Sequence, residues 1–284
     1  KEEIEIGLKG EEEEFIGAYE YHSSSDYLVN KSDMISKNMN LFQDGFTYVP
    51  ADRIAPQLSY EKSYYEIHEK RRIGLRGEYA VHFLYDNQEE ILDNDCACHP
   101  NERNHKLLQQ TEAWMSEIAP GIHLSFDDYE KANKVGMRVR PMNKDEISTE
   151  YFSLKNVGFG ITCILPVVLS LLKARKGDLL MIENPEAHLH PRGQRKMGEL
   201  IARTAQGGVQ VIVETHSDHL LNGIRLSVKN KYIDSDKVRI SFFQNNQETE
   251  KKEVINPVIL EDGRVSTWPD GFFDEWDKAI DEMF

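Results

Sequence analysis

The spacing of apolar residues changes period several times along this chain, and the changes divide it. In residues 1 to 21, Ile4, Ile6 and Leu8 alternate with charged residues, and Phe15, Ile16 and Tyr19 follow the acidic run Glu11 to Glu14. That alternation predicts one or two strands at a sheet edge, interrupted by a turn from Gly10 to Glu14. Phe46-Thr47-Tyr48-Val49-Pro50 is a short β-rich run stopped by proline, and it leads into Asp52-Arg53 as a strand feeding a functional loop does. From Tyr60 to about Glu117 the apolar residues recur at three and four, through Tyr79, Phe83 and Leu84, then Leu107, Leu108, Trp114, Met115 and Ile118. This spacing predicts a helical lobe with a polar break at 93 to 104. Leu124 and Phe126, then Val135, Met137 and Val139, return to alternation across 122 to 140, and a polar linker runs to Glu150.

Beyond the linker, Asn156-Val157-Gly158-Phe159-Gly160 opens an apolar helix that closes on Lys173, Arg175, Lys176 and Gly177, cations and a glycine suited to a helix C-terminus. Leu179 to Ile182 is wholly apolar, as in a strand whose two faces are covered by helices. Pro191 fits the first position of a helix running to about Gln206, with Gly207-Gly208 ending it and Val209 to Val213 forming the next strand. Strand, helix and strand of these lengths make a βαβ unit. The expected fold is α/β, a mostly parallel sheet with an inserted helical lobe. The expected divisions are 1–45, 46–150, 151–235 and a small C-terminal module at 236–284.

Composition narrows the class. The chain has 284 residues, 39% of them hydrophobic, enough for a substantial core. Its longest apolar run, Ile161 to Leu172, is 12 residues and holds Ser170 and Pro166, short of the roughly 18 a membrane span needs. The N-terminus KEEIEIGLKG lacks the order of a signal peptide and an initiator Met, so an internal or processed end is expected. Three cysteines, two of them as Cys96-Ala97-Cys98, do not make a disulfide framework and point to a reducing, cytoplasmic setting. A formal charge of −15 repels nucleic acid, so any such contact is indirect or confined to the patch Lys70, Arg71, Arg72 and Arg76, which reads as a solvated helix end.

The chemistry lies in Asp178 to Pro191, DLLMIENPEAHLHP. Its apolar strand delivers Glu183 to the carboxyl end, where ligands bind in open α/β sheets and where an acid can hold the water shell of magnesium on a nucleoside triphosphate. Asn184, Pro185 and Glu186 follow in a turn, then His188 and His190.

The segment resembles the Walker B and D-loop stretch of SMC-like and OLD-like ABC-type ATPases within the AAA P-loop families, whose usual form is hydrophobic-Asp-Glu-Pro-Glu-x-x-Leu-His-Pro. Glu183 stands where that pattern has its magnesium-associated Asp. Asn184 stands where many members have the catalytic Glu, and a neutral amide takes no proton from water, so hydrolysis is expected to be slow, or to be supported by Glu186 or His216. A subgroup with a Glu-Asn-Pro-Glu Walker B and an uncharacterised C-terminal domain is similar. Trp268-Pro269-Asp270-Gly271-Phe272-Phe273-Asp274-Glu275-Trp276 resembles its closing segment, and Pro50 to Arg53 and Gly77-Glu78-Tyr79 resemble its middle.

Asn156, Val157, Gly158, Phe159 and Gly160 resemble the ABC signature loop in position, about 23 residues before the Walker B strand. Val211 to Ser217 resembles the switch loop, with His216 as the γ-phosphate sensor. The resemblance implies ATP and magnesium as cofactors, a homodimer with ATP sandwiched between subunits, and an effector such as a nuclease in DNA maintenance or phage defence. No Gly-x-x-x-x-Gly-Lys-Ser/Thr occurs, so the phosphate loop is expected upstream of Lys1 or on another chain. A degenerate, non-hydrolysing scaffold is the alternative. Two zinc readings stand beside it, one on Glu186, His188 and His190 and one on Cys96, Cys98, His99 and His105. Arg53 is weighed between a phosphate and a carboxylate, and the Trp268, Phe272, Phe273 and Trp276 cluster between a packed cap and a ligand box.

Overall fold

A computed structural model describes residues 2–9, 14–21, 29–30, 45–118, 121–141, 151–156, 159–245 and 252–283. The backbone forms two compact units, Lys1–Phe46 and Thr47–Phe284. In the first, β1 (Glu2–Lys9) and β2 (Glu14–Tyr21) pair antiparallel, Glu2 opposite Tyr21 and Lys9 opposite Glu14, and β3 (Val29–Asn30) adds to β2. The turn expected between the first two falls on residues 10–13, outside the described residues, and Glu14 already belongs to β2.

From there the order is β4 (Phe46–Val49), β5 (Tyr60–Glu61), α1 (Ala80–Asp86), α2 (Leu107–Ile118), β6 (Ile122–Tyr129), β7 (Lys134–Pro141) and β8 (Phe152–Ser153). Next come α3 (Phe159–Leu172), β9 (Leu179–Glu183), α4 (Pro191–Gln206), β10 (Gln210–Glu214) and α5 (Asp218–Lys229). The C-terminal part holds β11 (Phe242–Asn245), β12 (Lys252–Ile255) and α6 (Glu275–Met283). One sheet has the order β10-β9-β4, with β9 and β10 parallel and in register from Leu179 opposite Gln210 to Glu183 opposite Glu214. A second sheet is antiparallel, β5-β7-β6 with β8 on β7, and β11 and β12 form a hairpin.

The α/β class is as the sequence predicts. Helix α3 is buried on every side from Ile164 to Leu172, and Pro191 and Gly207 bracket α4 as expected. Within β9, Leu180 and Ile182 are buried while Leu179, Met181 and Glu183 are half-buried. The edge strand β10 alternates, exposing Gln210, Ile212 and Glu214. Among the described residues, β9 is the only ladder partner of β10, whose other edge is open.

The stretch expected to be helical from Tyr60 begins instead as a strand. Tyr60 is buried opposite Val135, and a partner far along the chain decides a period that local spacing leaves ambiguous. The lobe's core is Phe83, Leu84, Trp114 and Met115. A second core joins Phe272, Ile233 and Ile259 to Ala202 and Leu221. Phe272 packs against Trp268, Phe273 and Phe242, so this aromatic cluster is a packed cap, while Trp276 on α6 stays exposed. No helix among the described residues is long and apolar enough to cross a membrane.

Candidate functional site

β9 ends on Glu183, and the end of β4 with the residues just after it wraps its carboxylate. The Tyr48 hydroxyl donates to Oε1 at 2.6 Å and the Ala51 N–H to Oε2 at 3.0 Å. These two donors, with the Arg53 charge behind them, hold the Glu183 carboxyl below its ordinary value, so it is ionised at neutral pH. The same hydrogen bond raises Tyr48. Arg53 is buried and donates through Nη2 to the main-chain carbonyls of Glu183 and Asn184, the latter at 3.1 Å. Its role in this chain is thus to clamp the strand end.

Asn184 extends the strand ladder by donating its N–H to the Glu214 carbonyl at 3.0 Å, and then turns the chain at φ 42°. This left-handed backbone costs most residues roughly 1–2 kcal/mol, and asparagine adopts it more readily than glutamate. The turn closes with Ala187 N–H on the Asn184 carbonyl and Leu189 N–H on that of Glu186. It therefore places Glu186 beside the loop after β10, where Glu186 Oε1 accepts the His216 N–H at 2.9 Å. The His216 imidazole itself is exposed, with Nε2 at 3.0 Å from Glu214 Oε1. Ser217 caps α5 by accepting from Leu220 N–H and donates to Gln194 Oε1 on α4.

The start of α3 reaches the same turn. A Cβ added to Gly160 would lie 3.0 Å from the His188 carbonyl oxygen, so only glycine brings the two backbones this close. Asn156 is exposed at the end of a short 3-10 turn, Leu154–Asn156, and Phe159 is the first residue of α3. Val157 and Gly158 lie outside the described residues. The start of α3, the turn after Glu183 and the His216 loop thus meet, through Gly160 against His188 and Glu186 against His216.

Three side chains there have buried polar atoms without protein partners: Asn184 Oδ1, Glu186 Oε2, and Nε and Nη1 of Arg53. Buried polar atoms are ordinarily satisfied, so this end of the sheet is built for water, an ion or a ligand. The profile of the AAA ATPase domain family matches residues 2–221. The chain belongs to the AAA ATPase domain family. Residues 233–283 match a second family, described as a protein of unknown function (DUF3696).

Solved structures similar to this AAA ATPase domain are distant. One, from work on ATP-driven dimerization and DNA-stimulated activation of SMC ATPases, is 12% identical with a TM-score of 0.40, over 62% of this chain and 89% of its own. The SMC head bound to the C-terminal winged-helix domain of ScpA is 12% identical at TM-score 0.37, over 54% of this chain and 42% of its own. An SMC head with extended coiled coil, bound to the C-terminal domain of ScpA from Pyrococcus furiosus, gives 12% and 0.37 over 62% and 37%. The chain spans less than half of the latter two. No curated protein matches.

Magnesium takes hard oxygen donors, and the ionised Glu183 carboxylate and the partnerless Asn184 Oδ1 and Glu186 Oε2 are of that type. The sequence marks the run from Phe46 to Arg53 as leading into a functional loop, but does not reveal that Tyr48 and Ala51 hold Glu183, which lies far downstream. The basic patch is partly neutralised, Arg71 on Glu90 and Arg76 on Asp52. Glu186, His188 and His190 do not form a metal-ligand group. Among the described residues the one such group joins Cys98 and His105 to Asp95. His99, expected with them, is buried edge-on against Trp114 and faces Glu117, and Cys96 is exposed outside the group.

Proposed function

We propose that this AAA ATPase domain works as an ABC-type dimeric switch, binding ATP with magnesium between two copies and hydrolysing it slowly. Support comes from one relationship: the turn after Glu183 contacts both the start of α3 and the His216 loop. Magnesium, when bound, supplies positive charge to the phosphate oxygens. Glu183, kept ionised by Tyr48 and Ala51, orients water around it. Asn184 has no proton-accepting group, so Glu186, with one oxygen unpartnered, is left to steer the attacking water. His216 projects into solvent from a loop pinned at its own N–H, the posture of a group that contacts a terminal phosphate. Asn156 to Gly160 faces the nucleotide held by the other copy.

A strand carrying a lysine-bearing phosphate loop would add to the open edge of β10. The switch acts on a protein effector such as a nuclease in DNA maintenance or phage defence, and the −15 charge makes contact with nucleic acid indirect. Asn184 also favours a second reading, a non-hydrolysing scaffold.

Titrating ATP and magnesium into the assembly that includes the phosphate loop separates the readings. Nucleotide-dependent dimerisation by light scattering, with phosphate release stopped by Glu183→Gln plus His216→Ala, is the expected result. Equal release by mutant and parent rejects the assignment, and dimerisation without release leaves the scaffold.

A further inference from the structure

Away from the sheet, the polar break between α1 and α2 is a closed loop. Its base is a short antiparallel ladder: Leu92 N–H donates to the His105 carbonyl at 3.0 Å, Leu107 N–H to the Glu90 carbonyl at 2.8 Å, and Ile91 bridges Lys106. Its middle is anchored to the core, because Trp114 Nε1 donates to the Ala97 carbonyl at 2.9 Å and the His99 N–H to Gln110 Oε1 at 2.6 Å. Three side chains gather on this scaffold. The ligand atoms of Asp95, Cys98 and His105 all lie within 4.8 Å of one another.

We propose that Asp95, Cys98 and His105 bind a zinc ion, with water in the fourth position. A tetrahedral zinc with bonds of about 2.0–2.1 Å to nitrogen and oxygen sets those two ligands roughly 3.3 Å apart. His105 Nδ1 and Asp95 Oδ1 are 3.2 Å apart, a separation that fits two adjacent ligand positions. One thiolate, one imidazole and one carboxylate form a borderline donor set, which selects zinc over magnesium or calcium. The thiol is buried, and the Asp95 carboxylate beside it is negative, so the pocket favours a cation. Binding exchanges the thiol proton of Cys98 for a zinc–sulfur bond and releases that proton to solvent.

The ion would hold the loop's two ends together where the loop grips the ATPase core. Asn94, next to Asp95, donates to the Thr204 carbonyl near the end of α4 at 3.0 Å, and α4 starts just after the Glu183 turn.

The test uses the full chain, stripped by chelator, exchanged into zinc alone and assayed by elemental analysis. Stoichiometric zinc is expected, lost in Cys98→Ser and His105→Ala and kept in Cys96→Ser. Asp95 and His105 are exposed, so Asp95→Ala and His105→Ala keep the parent's circular dichroism while losing metal. Cobalt in place of zinc should give a thiolate charge-transfer band that Cys98→Ser abolishes. Chelation should lower Tm by roughly 2–4 °C in the parent and not in His105→Ala. Absence of zinc from the folded parent, or zinc that survives both Cys98→Ser and His105→Ala, overturns the site.

Discussion

The main-chain N–H of His216 donates to Glu186 Oε1 at 2.9 Å, which ties the loop after β10 to the turn after β9. The partner of that acceptor is a backbone group, so the tie fixes the loop's path while the exposed imidazole makes its own contact with Glu214 Oε1. Glu186 thus holds the loop with one oxygen, and its other oxygen is buried without a partner.

Glu186→Ala removes that acceptor and should lower stability by about 1–2 kcal/mol. In the ATP-competent assembly it should cut turnover at least tenfold, because the loop loses its anchor. Glu186→Gln keeps an acceptor oxygen and should recover most of the stability. Denaturant melts and phosphate release measure the two effects separately.

Asn184 sits at φ 42°, where glutamate is strained. Asn184→Glu should cost about 1 kcal/mol of stability, and under the proposed function it should also raise the rate of ATP hydrolysis. Asn184→Gly should be nearly neutral for stability and leave turnover low. A rate unchanged by Asn184→Glu in a folded protein removes position 184 from the water path.

Gly160→Ala tests the approach of α3 to the turn. Alanine within a helix ordinarily gains about 0.5–1 kcal/mol over glycine. Here its Cβ meets the His188 carbonyl at 3.0 Å, backbone against backbone, and the substitution should destabilise by about 1 kcal/mol instead. Thermal unfolding of the two proteins gives the sign directly.

His82 is fully buried, accepts the Ser63 N–H at Nδ1, and is lowered by burial from 6.5 to about 4. The unfolded chain therefore takes up a proton at a pH where the folded chain does not. Stability is complete above pH 6.5 and falls as pH drops toward 4, by roughly 3 kcal/mol at the low end. His82→Gln, which does not titrate, should flatten that part of the stability curve measured by urea melts between pH 7 and 4.

Much of the central unit was legible because its signals are local. Pro191, Gly207 and the apolar run before Glu183 each act within a turn or two of the chain, and β9, α4 and β10 appear where those residues place them. The surroundings of Glu183 were not legible. Tyr48 on β4 and Ala51 just after it lie far upstream in the chain, and nothing near position 48 reveals which carboxylate its hydroxyl will meet. Spacing likewise grouped Cys96 and His99 with Cys98 and His105. The 3-10 turn at Asp95–Ala97 directs Asp95 to them instead, and edge-on packing against Trp114 takes His99 away.

Register gives the strand pair its last consequence. Glu183 and Glu214 are opposite one another because Leu180 and Ile182 are each 1% exposed in the core. A slip of one residue would send both apolar side chains outward and carry the acid with them to the wrong face. The hydrocarbon interior therefore proofreads the position of the carboxylate. Trimming Leu180 or Ile182 should damage the aim of the site well before it melts the protein.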